Sequence, residues 1–159
     1  MTKSLESEFK IIVDEHKSTI YSACYMYSND PDEVNDLFQE TVVKVWQGLP
    51  SFKGNSSMKT WIWRITLNTC ISADRKKKMK TVPLTMDINL FEDSDANTRQ
   101  VNMLKERISK LRYFDRAIVL LWLENMSYDE IAAVVGITSK QVSVRLFRIK
   151  EQLKQMTKD

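Results

Sequence analysis

The chain has 159 residues, which suffice for one ordinary domain or two small ones, and 43% of them are hydrophobic. Only three glycines and three prolines are present, so turn chemistry is too scarce for a sheet-rich protein and we expect an all-α fold. His16, Cys24 and Cys70 cannot assemble a zinc-type cluster, and both thiols are expected to be buried. No apolar run approaches the ~18 residues of a membrane span, so we expect a cytoplasmic protein without membrane insertion.

The net charge of +3 is unevenly distributed along the chain. Residues 1–50 carry 4 basic and 9 acidic side chains, a balance of −5, whereas residues 51–83 carry 8 basic and 1 acidic, a balance of +7. Residues 84–99 return to −3, and residues 136–159 reach +4. The two basic zones, separated by acidic residues 84–99, indicate two contacts with a polyanion. The acidic N-terminal region, residues 1–50, indicates a different partner.

Three helices are predicted in the first half of the chain. Apolar residues recur at three- and four-residue steps from Leu5 to Tyr27. Asp30 followed by Pro31 is a strong start for the second helix, because aspartate can cap it and proline suits the first helical position. A buried stripe that includes Trp46 is predicted along this second helix. The third helix begins near residue 57 and ends in a run of basic residues.

The third helix combines tryptophans with that basic run, residues 75–80. Trp63 and Asn68 depart from a simple apolar stripe, so both are predicted to face outward. Basic side chains near a helix C-terminus are favourable for the macrodipole alone, but five within six residues exceed what that effect needs. The combination is typical of a surface for an unstacked nucleic-acid strand, where aromatic rings stack on bases and cations follow the backbone.

An acidic stretch without helical periodicity divides the chain. The composition of residues 84–98 predicts a flexible linker between two small helical domains, residues 1–83 and residues 99–159. In the second domain an amphipathic helix containing Leu104 and Ile108 comes first. A very apolar helix from Arg116 to Glu124 follows it and is predicted to form the centre of the domain.

Two short helices around a tight turn are predicted from residue 127 onward. Ser127 with Glu130, and Thr138 with Gln141, each form a capping box that opens a helix, and Gly136 lies between them where a left-handed turn is needed. The second helix has an apolar stripe on one side and a polar, basic face on the other. This pattern is typical of a helix-turn-helix that places its second helix in the major groove, although an ordinary helical hairpin with a solvated face shares it.

Motifs in both halves occur in an order that resembles the compact extracytoplasmic-function (ECF) group of bacterial RNA polymerase sigma factors, in the sigma-70 family. The first half is similar to the family's region 2 through Asp36-Leu37-Phe38-Gln39-Glu40, Val45-Trp46, Phe52-Lys53-Gly54 and Thr60-Trp61-Ile62-Trp63-Arg64-Ile65 with Asn68. The second half is similar to region 4 through Leu111, Arg116, residues 127–132, Gly136-Ile137-Thr138, Val142, Arg145, Leu146 and Arg148. The resemblance implies an alternative sigma factor that directs promoter-specific initiation and assists promoter melting.

The resemblance also implies partners and sites. Core RNA polymerase is the first partner, through its β′ clamp helices and its β flap, and the implied contacts on the clamp are Asp36, Leu37, Gln39 and Glu40. Promoter DNA is the second partner, and the implied −10 residues are Phe52, Asn55, Trp63, Arg64, Asn68, Ser72, Arg75, Lys76, Lys77 and Lys78. The −35 candidates are Lys140, Gln141, Ser143, Val144, Arg145, Phe147 and Arg148. An anti-sigma factor is a further partner in the family, although nothing in the sequence identifies one.

Two other classes of function fit the sequence less well. A stand-alone helix-turn-helix regulator explains the second half equally well, but it does not explain the tryptophan-rich basic helix or the acidic helix before it. An enzyme is not expected, because the sequence has no glycine-rich phosphate loop, no metal-ligand cluster and no nucleophile–base arrangement, and no cofactor is expected either.

Three residues depart from the family pattern. Ser143 and Val144 occupy positions that often hold basic or polar residues in the family. Arg112 stands where proline is common, so the turn before residue 116 is expected to differ.

Overall fold

The structure is a computed structural model that describes the backbone of residues 2–79 and 96–158 and the side chains of residues 4–76, 99–100 and 102–156. Within these ranges there are only helices and their connections, which confirms the all-α prediction. The α-helices are α1 (Thr2–Tyr27), α2 (Pro31–Gly48), α3 (Met58–Met79), α4 (Ala96–Ser109), α5 (Tyr113–Leu123), α6 (Tyr128–Val135) and α7 (Ser139–Lys158), and a 3₁₀ turn (Leu49–Ser51) follows α2.

The first half of the molecule is the bundle α1–α3. Helix α2 begins as predicted, because the Asp30 side chain accepts a hydrogen bond of 3.0 Å from the Asp32 amide and Pro31 occupies the first turn. The core of the bundle includes Ile20 of α1, Val34 and Val45 of α2, and Ile62 of α3, all at most 2% exposed. Removing such side chains from water contributes about 1.5–3 kcal/mol each, and this holds the three helices together.

Cys24 of α1 and Cys70 of α3 meet inside this bundle, with 3.8 Å between their sulfur atoms. Both side chains are buried free thiols, as predicted from the sequence. The pairing of these particular residues was not predicted, because it depends on how α1 and α3 cross.

The second half is the bundle α4–α7, built around the apolar helix α5. Its core is formed by fully buried aliphatic residues of four helices, Ile108, Leu121, Ile131, Leu146 and Ile149. Arg112 takes an extended conformation at the N-cap of α5 without a capping hydrogen bond from its side chain. Asn125 turns the chain between α5 and α6 with φ at 61°, in the left-handed region that asparagine tolerates.

Two sequence predictions differ from the structure of these bundles. Trp46 was predicted to be buried, but it is 39% exposed and packs edge-on against Phe9, with ring centroids 5.0 Å apart. Helix α4 begins at Ala96, so the last three residues of the predicted linker are helical. A helix propagates readily from an amphipathic stretch into weak helix formers such as Asn97 and Thr98. Residues 84–95 of that linker lie outside the described residues.

The two halves pack against each other through α3 on α5 and α6, and through α1 on α4. Polar contacts join them: the Tyr27 hydroxyl donates to the Tyr113 carbonyl at 3.3 Å, and the Tyr25 hydroxyl donates to Asn102 at 3.4 Å. Along the described part of the chain, no helix is long and apolar enough to cross a membrane.

Candidate nucleic-acid interface

The helix-turn-helix is formed by α6 and α7, and its local geometry follows from its capping residues. Ser127 and Glu130 form the predicted reciprocal capping box, with bonds of 2.9 and 3.1 Å. The hydrogen bond from the Ser127 amide, together with the charge of Lys59, lowers the pKa of the Glu130 carboxyl. Gly136 ends α6 with φ at 81° and ψ at 33°, a conformation that would strain any residue with a Cβ. The Ser139 hydroxyl donates to Asp129 and ties the start of α7 to α6.

The outer face of α7 is open to solvent along its first three turns. Each of the predicted −35 residues is exposed: Lys140, Gln141, Ser143, Val144, Arg145, Phe147 and Arg148. Phe147 is 68% exposed and Val144 is 45% exposed, so two apolar side chains stand in water one turn apart. The inner stripe of Val142, Leu146 and Ile149 is at most 1% exposed, as predicted. Since the inner stripe anchors the helix, the outer face is available for an external partner.

Two members of this exposed set already have partners within the protein. The Gln141 side-chain oxygen accepts a hydrogen bond of 2.9 Å from the Thr138 backbone amide, and the backbone amide of Gln141 donates to the Thr138 hydroxyl at 3.1 Å. Arg145 lies 3.5 Å from the Asp115 carboxylate and over the ring of Phe114. These contacts hold both side chains toward α5 and the start of α7. Lys140, Ser143, Val144, Phe147 and Arg148 therefore form the outward surface, which we call the α7 face.

Helix α3 carries a second polar face. Asn68, Ser72, Arg75 and Lys76 are exposed at helical spacing along one side of it, and we call this set the α3 stripe. The side chains of Lys77 and Lys78 lie outside the described part of the chain. The stripe combines an amide, which can donate and accept at once, with cations near the end of the helix.

The loop before α3 is fixed by packing and by a cap. Phe52 is partly buried and its ring lies 4.9 Å from that of Trp61. Ser57 opens the helix by accepting a hydrogen bond of 3.1 Å from the Thr60 amide. Asn55 is exposed at the tip of the loop. The loop therefore presents Asn55 beside the start of α3, while Phe52 is held by the indole of Trp61.

The structure departs from the sequence prediction at Trp63, which is expected to face outward, and it engages the exposed Arg64 in a contact within the protein. Trp63 is only 2% exposed, because the second half of the protein covers it. It lines an apolar groove of about 460 Å³ between the halves, together with Tyr25, Leu104 and Leu120. The Arg64 guanidinium donates two hydrogen bonds to the carbonyl of Ala133 in α6, one of them 3.1 Å long. In this arrangement the Trp63 ring is buried, and the Arg64 guanidinium is exposed but engaged by the Ala133 carbonyl.

The acidic face of α2 is the third predicted surface. Asp36, Gln39 and Glu40 are exposed on it, and Glu40 lies 4.0 Å from Lys44. The resemblance implies that Leu37 belongs to the same surface, whereas the periodicity of the helix predicts that it is buried, and at 5% exposure it packs into the core. An apolar side chain one position from Asp36 points toward the neighbouring helices because successive helical residues face different directions.

Contacts between the halves were missed by sequence reasoning. Lys105 of α4 is 8% exposed, donates to the Ser28 carbonyl at 2.5 Å and lies 3.7 Å from the centre of the Tyr25 ring. Burial lowers the pKa of Lys105 to about 8. A signal was present in the sequence, because Lys105 stands on the apolar stripe of α4, three residues before Ile108. Among the described residues, no group of histidine, cysteine and acidic side chains could hold a metal ion.

Comparison with known proteins accounts for this arrangement of two helical units. Residues 12–79 match the family model for Sigma-70 region 2, and residues 102–153 match the model for Sigma-70, region 4. The chain belongs to the sigma-70 family and to its ECF group. It is an alternative sigma factor, a member of a family of transcription initiation factors.

Curated relatives agree along nearly the whole length of the sigma factor. It is 30% identical to the ECF RNA polymerase sigma factor SigW of Bacillus subtilis (strain 168), over 99% of this chain and 92% of that protein. It is 27% identical to the ECF RNA polymerase sigma-E factor of Escherichia coli (strain K12), over 95% of this chain and 87% of that protein. The similarity to these two relatives therefore spans both halves of the chain.

Solved structures share the fold. The sigma factor RpoE from Bartonella quintana, solved with the anti-sigma factor NepR, has a TM-score of 0.75 and 22% identity, over 95% of this chain and 97% of that chain. CnrH, solved with the cytosolic domain of CnrY, has a TM-score of 0.74 and 22% identity, over 96% of this chain and 89% of that chain. At this level of identity the likeness concerns the fold alone.

Proposed function

We propose that this sigma factor reads the −35 element of its promoters through the α7 face, and the −10 element through the loop before α3 and the α3 stripe. The proposed functional units are residues 1–83 and 99–159, joined by residues 84–98. The observation that carries the proposal is the α7 face, where apolar and cationic side chains are exposed on a helix that begins with a capping box and buries its inner stripe. An exposed helix of this kind fits the major groove, which admits one α-helix.

The α7 face has suitable chemistry for reading base edges. Arg148 can form a bidentate pair with the O6 and N7 atoms of guanine, a contact worth about 1–3 kcal/mol of discrimination. Val144 and Phe147 offer apolar contact to the methyl group of thymine, while Lys140 is placed near the first turn of α7, where it can reach a phosphate. Gln141 and Arg145 also help to fix the helix, because the Gln141 side-chain oxygen accepts from the Thr138 amide and Arg145 pairs with Asp115.

The −10 element is proposed to be read as single-stranded DNA. Extruding a base costs a few kcal/mol, so contacts between the extruded base and a polar pocket must compensate for that cost. Asn68 and Asn55 supply amides that can pair with a base, and Phe52 with Trp61 supplies an aromatic surface nearby. The cations that follow, Arg75 to Lys78, suit the phosphates of the melted strand. Trp63 and Arg64 can join this surface only when the two halves of the protein separate.

Core RNA polymerase is proposed to bind the acidic face of α2 through its β′ clamp helices and the second half through its β flap. The exposed Asp36, Gln39 and Glu40 provide that acidic surface. The polymerase performs the chemistry, so no catalytic residue is assigned to this chain, and its place of action is the cytoplasm, where the polymerase works. An anti-sigma factor is a further proposed partner, because both solved relatives described above were obtained in complexes, one with a named anti-sigma factor.

Run-off transcription tests the proposal. Purified core polymerase is given a genomic promoter library with and without this protein, and new discrete start sites with shared −10 and −35 sequences are expected only with it. The matched control is Gln152→Ala, an exposed position of α7 outside the α7 face, which should leave the products unchanged. If no start sites appear and the protein does not co-purify with core polymerase, the proposal fails.

A further inference from the structure

Two cysteines meet in the core of the bundle α1–α3, and the proposed reading of DNA makes no use of them. Cys24 of α1 is 0% exposed and Cys70 of α3 is 1% exposed, with 3.8 Å between their sulfur atoms. Because a disulfide bond is about 2.05 Å long, the two sulfur atoms have to approach by only about 1.8 Å to form one. The chain contains no other cysteine. Any disulfide formed within one molecule therefore joins α1 to α3.

The two thiols are not equivalent. The S–H group of Cys70 donates to the sulfur atom of Cys24. This hydrogen bond holds the pKa of Cys24 below the ordinary value of a thiol, against the opposing effect of burial. The same hydrogen bond, together with burial, raises the pKa of Cys70. Since the thiolate is the nucleophile in thiol chemistry, Cys24 is the sulfur that reacts first with an oxidant.

We propose that Cys24 and Cys70 form a thiol–disulfide site that hydrogen peroxide oxidises, and that the disulfide weakens recognition of the −10 element by displacing the α3 stripe. Cys70 faces the core, whereas Asn68 and Ser72, two residues before and after it, are exposed members of that stripe. Because protein cores are close-packed, a bond that draws Cys70 toward α1 shifts the backbone of α3 at this point. The effect on DNA rests on the proposed −10 role of α3.

The oxidation balances with one molecule of peroxide. The Cys24 thiolate attacks one oxygen atom, so an S–O bond forms, the O–O bond breaks, and the departing hydroxide takes up the proton that Cys24 released. Cys70 then attacks the sulfur atom of the resulting sulfenic acid, the S–S bond forms, and hydroxide leaves with the proton of Cys70. Two thiols and one peroxide thus give one disulfide and two water molecules. A dithiol such as dithiothreitol reverses the bond by thiol–disulfide exchange and becomes a cyclic disulfide itself.

The position of the pair selects the class of oxidant. Both sulfur atoms are buried, so an oxidant reaches them only when the bundle opens locally. Cys24 lies in the last turn of α1, and the ends of helices open more readily than the centre of a core. Hydrogen peroxide is neutral and close to water in size, so a small opening admits it, whereas glutathione disulfide is large and charged. Peroxide should therefore form the bond much faster than glutathione disulfide does.

Peptide mapping of the full chain tests the covalent step. The reduced protein is treated with hydrogen peroxide, desalted, unfolded in an alkylating agent that blocks the remaining thiols, and digested without reductant. The expected product is one linked pair of peptides that contain Cys24 and Cys70, with a loss of two hydrogen atoms from the intact mass. Glutathione disulfide is the matched oxidant and should leave both thiols alkylated over the same time. Alkylated thiols after peroxide, linkage between molecules, or equal linkage by both oxidants contradicts the proposal.

Single variants test the order in which the sulfur atoms react. Cys70→Ser keeps a donor beside Cys24 and cannot form the bond, so oxidation should stop at the sulfenic acid of Cys24, which dimedone traps. Cys24→Ala removes the sulfur that reacts first and should leave Cys70 unlabelled by dimedone. Circular dichroism shows whether each variant keeps its helices, and the mapping of the wild type depends on neither variant. Dimedone labelling of Cys24→Ala in place of Cys70→Ser overturns the order.

Strand binding by holoenzyme tests the consequence for DNA, with the −10 and −35 sequences identified by run-off transcription. The protein is oxidised and desalted before core polymerase is added, so the polymerase meets no peroxide. The disulfide form should bind the non-template −10 strand about threefold to tenfold more weakly than the reduced form, as for one lost hydrogen bond between neutral groups. Dithiothreitol should restore the affinity, and the −35 duplex should bind equally to both forms.

The matched control for strand binding is Cys70→Ser, which should bind the −10 strand equally before and after peroxide. An unchanged −10 affinity of the disulfide form, or an equal loss for both DNA elements, overturns the proposal.

Failure of this inference and failure of the proposed function give different results. Unchanged −10 affinity of the disulfide form, beside promoter-specific run-off products from the reduced form, removes only the inference. Reduced protein that yields no run-off products with core polymerase removes the function and with it the effect on −10 recognition, whereas peptide mapping decides on the disulfide independently.

Discussion

The two helices proposed to read DNA, α3 and α7, present contrasting surfaces. On α7 the aromatic residue of the outer face, Phe147, is 68% exposed, and Arg148 beside it is exposed as well. On α3 the corresponding aromatic residue, Trp63, is 2% exposed, and the guanidinium of Arg64 beside it is exposed but bonded to the Ala133 carbonyl of the second half. Similar sequence signals therefore have different structural outcomes.

The difference follows from the position of each helix. Helix α7 lies at the edge of its bundle and buries one stripe, so its opposite side stays in solvent. Helix α3 packs against α1 and α2 on one side and against α5 and α6 on another. Among the described side chains of α3, the exposed residues beyond Arg64 form a narrow stripe, Asn68, Ser72, Arg75 and Lys76. A tryptophan within a basic helix thus indicates either a base-stacking surface or a contact between domains.

The largest expected effect tests how α7 is anchored. Leu146→Ala removes a side chain that is 1% exposed, and should lower the free energy of unfolding by about 2–5 kcal/mol. Urea denaturation followed by circular dichroism measures this loss. The control is Val144→Ala on the α7 face, where we expect a change within about 0.5 kcal/mol. Equal losses at both positions would remove the contrast between the inner stripe and the outer face.

The next effect concerns the exposed arginine of α7. Arg148→Ala should reduce run-off transcription from promoters with a −35 element by a factor corresponding to about 1–3 kcal/mol, because a bidentate guanine contact is lost. Start sites should become less dependent on the −35 sequence. Gln152→Ala serves again as the exposed control on the same helix. An unchanged −35 preference in Arg148→Ala would exclude this residue as a base contact.

A smaller effect is expected on α3. Asn68→Ala should weaken binding of the −10 strand by holoenzyme by about 0.5–1.5 kcal/mol, the net contribution of one hydrogen bond between neutral groups. Filter binding with a labelled non-template strand measures the change. Affinity for the −35 duplex provides the internal control and should stay constant. A loss shared by both DNA elements would point to damage of the fold instead of loss of a base contact.

The smallest effect is on the apolar part of the α7 face. Replacing thymine by uracil in the −35 duplex removes one methyl group, and should weaken binding by roughly 0.8 kcal/mol where Phe147 or Val144 covers it. Phe147→Ala should bind both duplexes more weakly and respond less to the replacement. The measurement is anisotropy with matched duplexes. Wild-type protein that binds both duplexes equally at every thymine would contradict apolar readout.

Local chemistry made much of this protein predictable. Capping boxes at Ser127 and Thr138, the proline at residue 31 and the glycine at residue 136 fix where helices begin and end, and each acts within a few residues. Helical periodicity likewise identified the inner stripe of α7. The all-α fold, the helix-turn-helix and the family could therefore be predicted from the sequence.

Packing between distant segments decided the rest. Arg64 and the carbonyl it contacts are 69 residues apart, and Lys105 is 77 residues from Ser28. Such contacts have no local periodicity, so the sequence by itself placed Trp63 on a surface where the tertiary structure buries it. The sequence determined the helices and the chemistry of each face. Only the assembly of α1–α3 against α4–α7 determined which faces remain open to DNA, because burial depends on what covers a side chain.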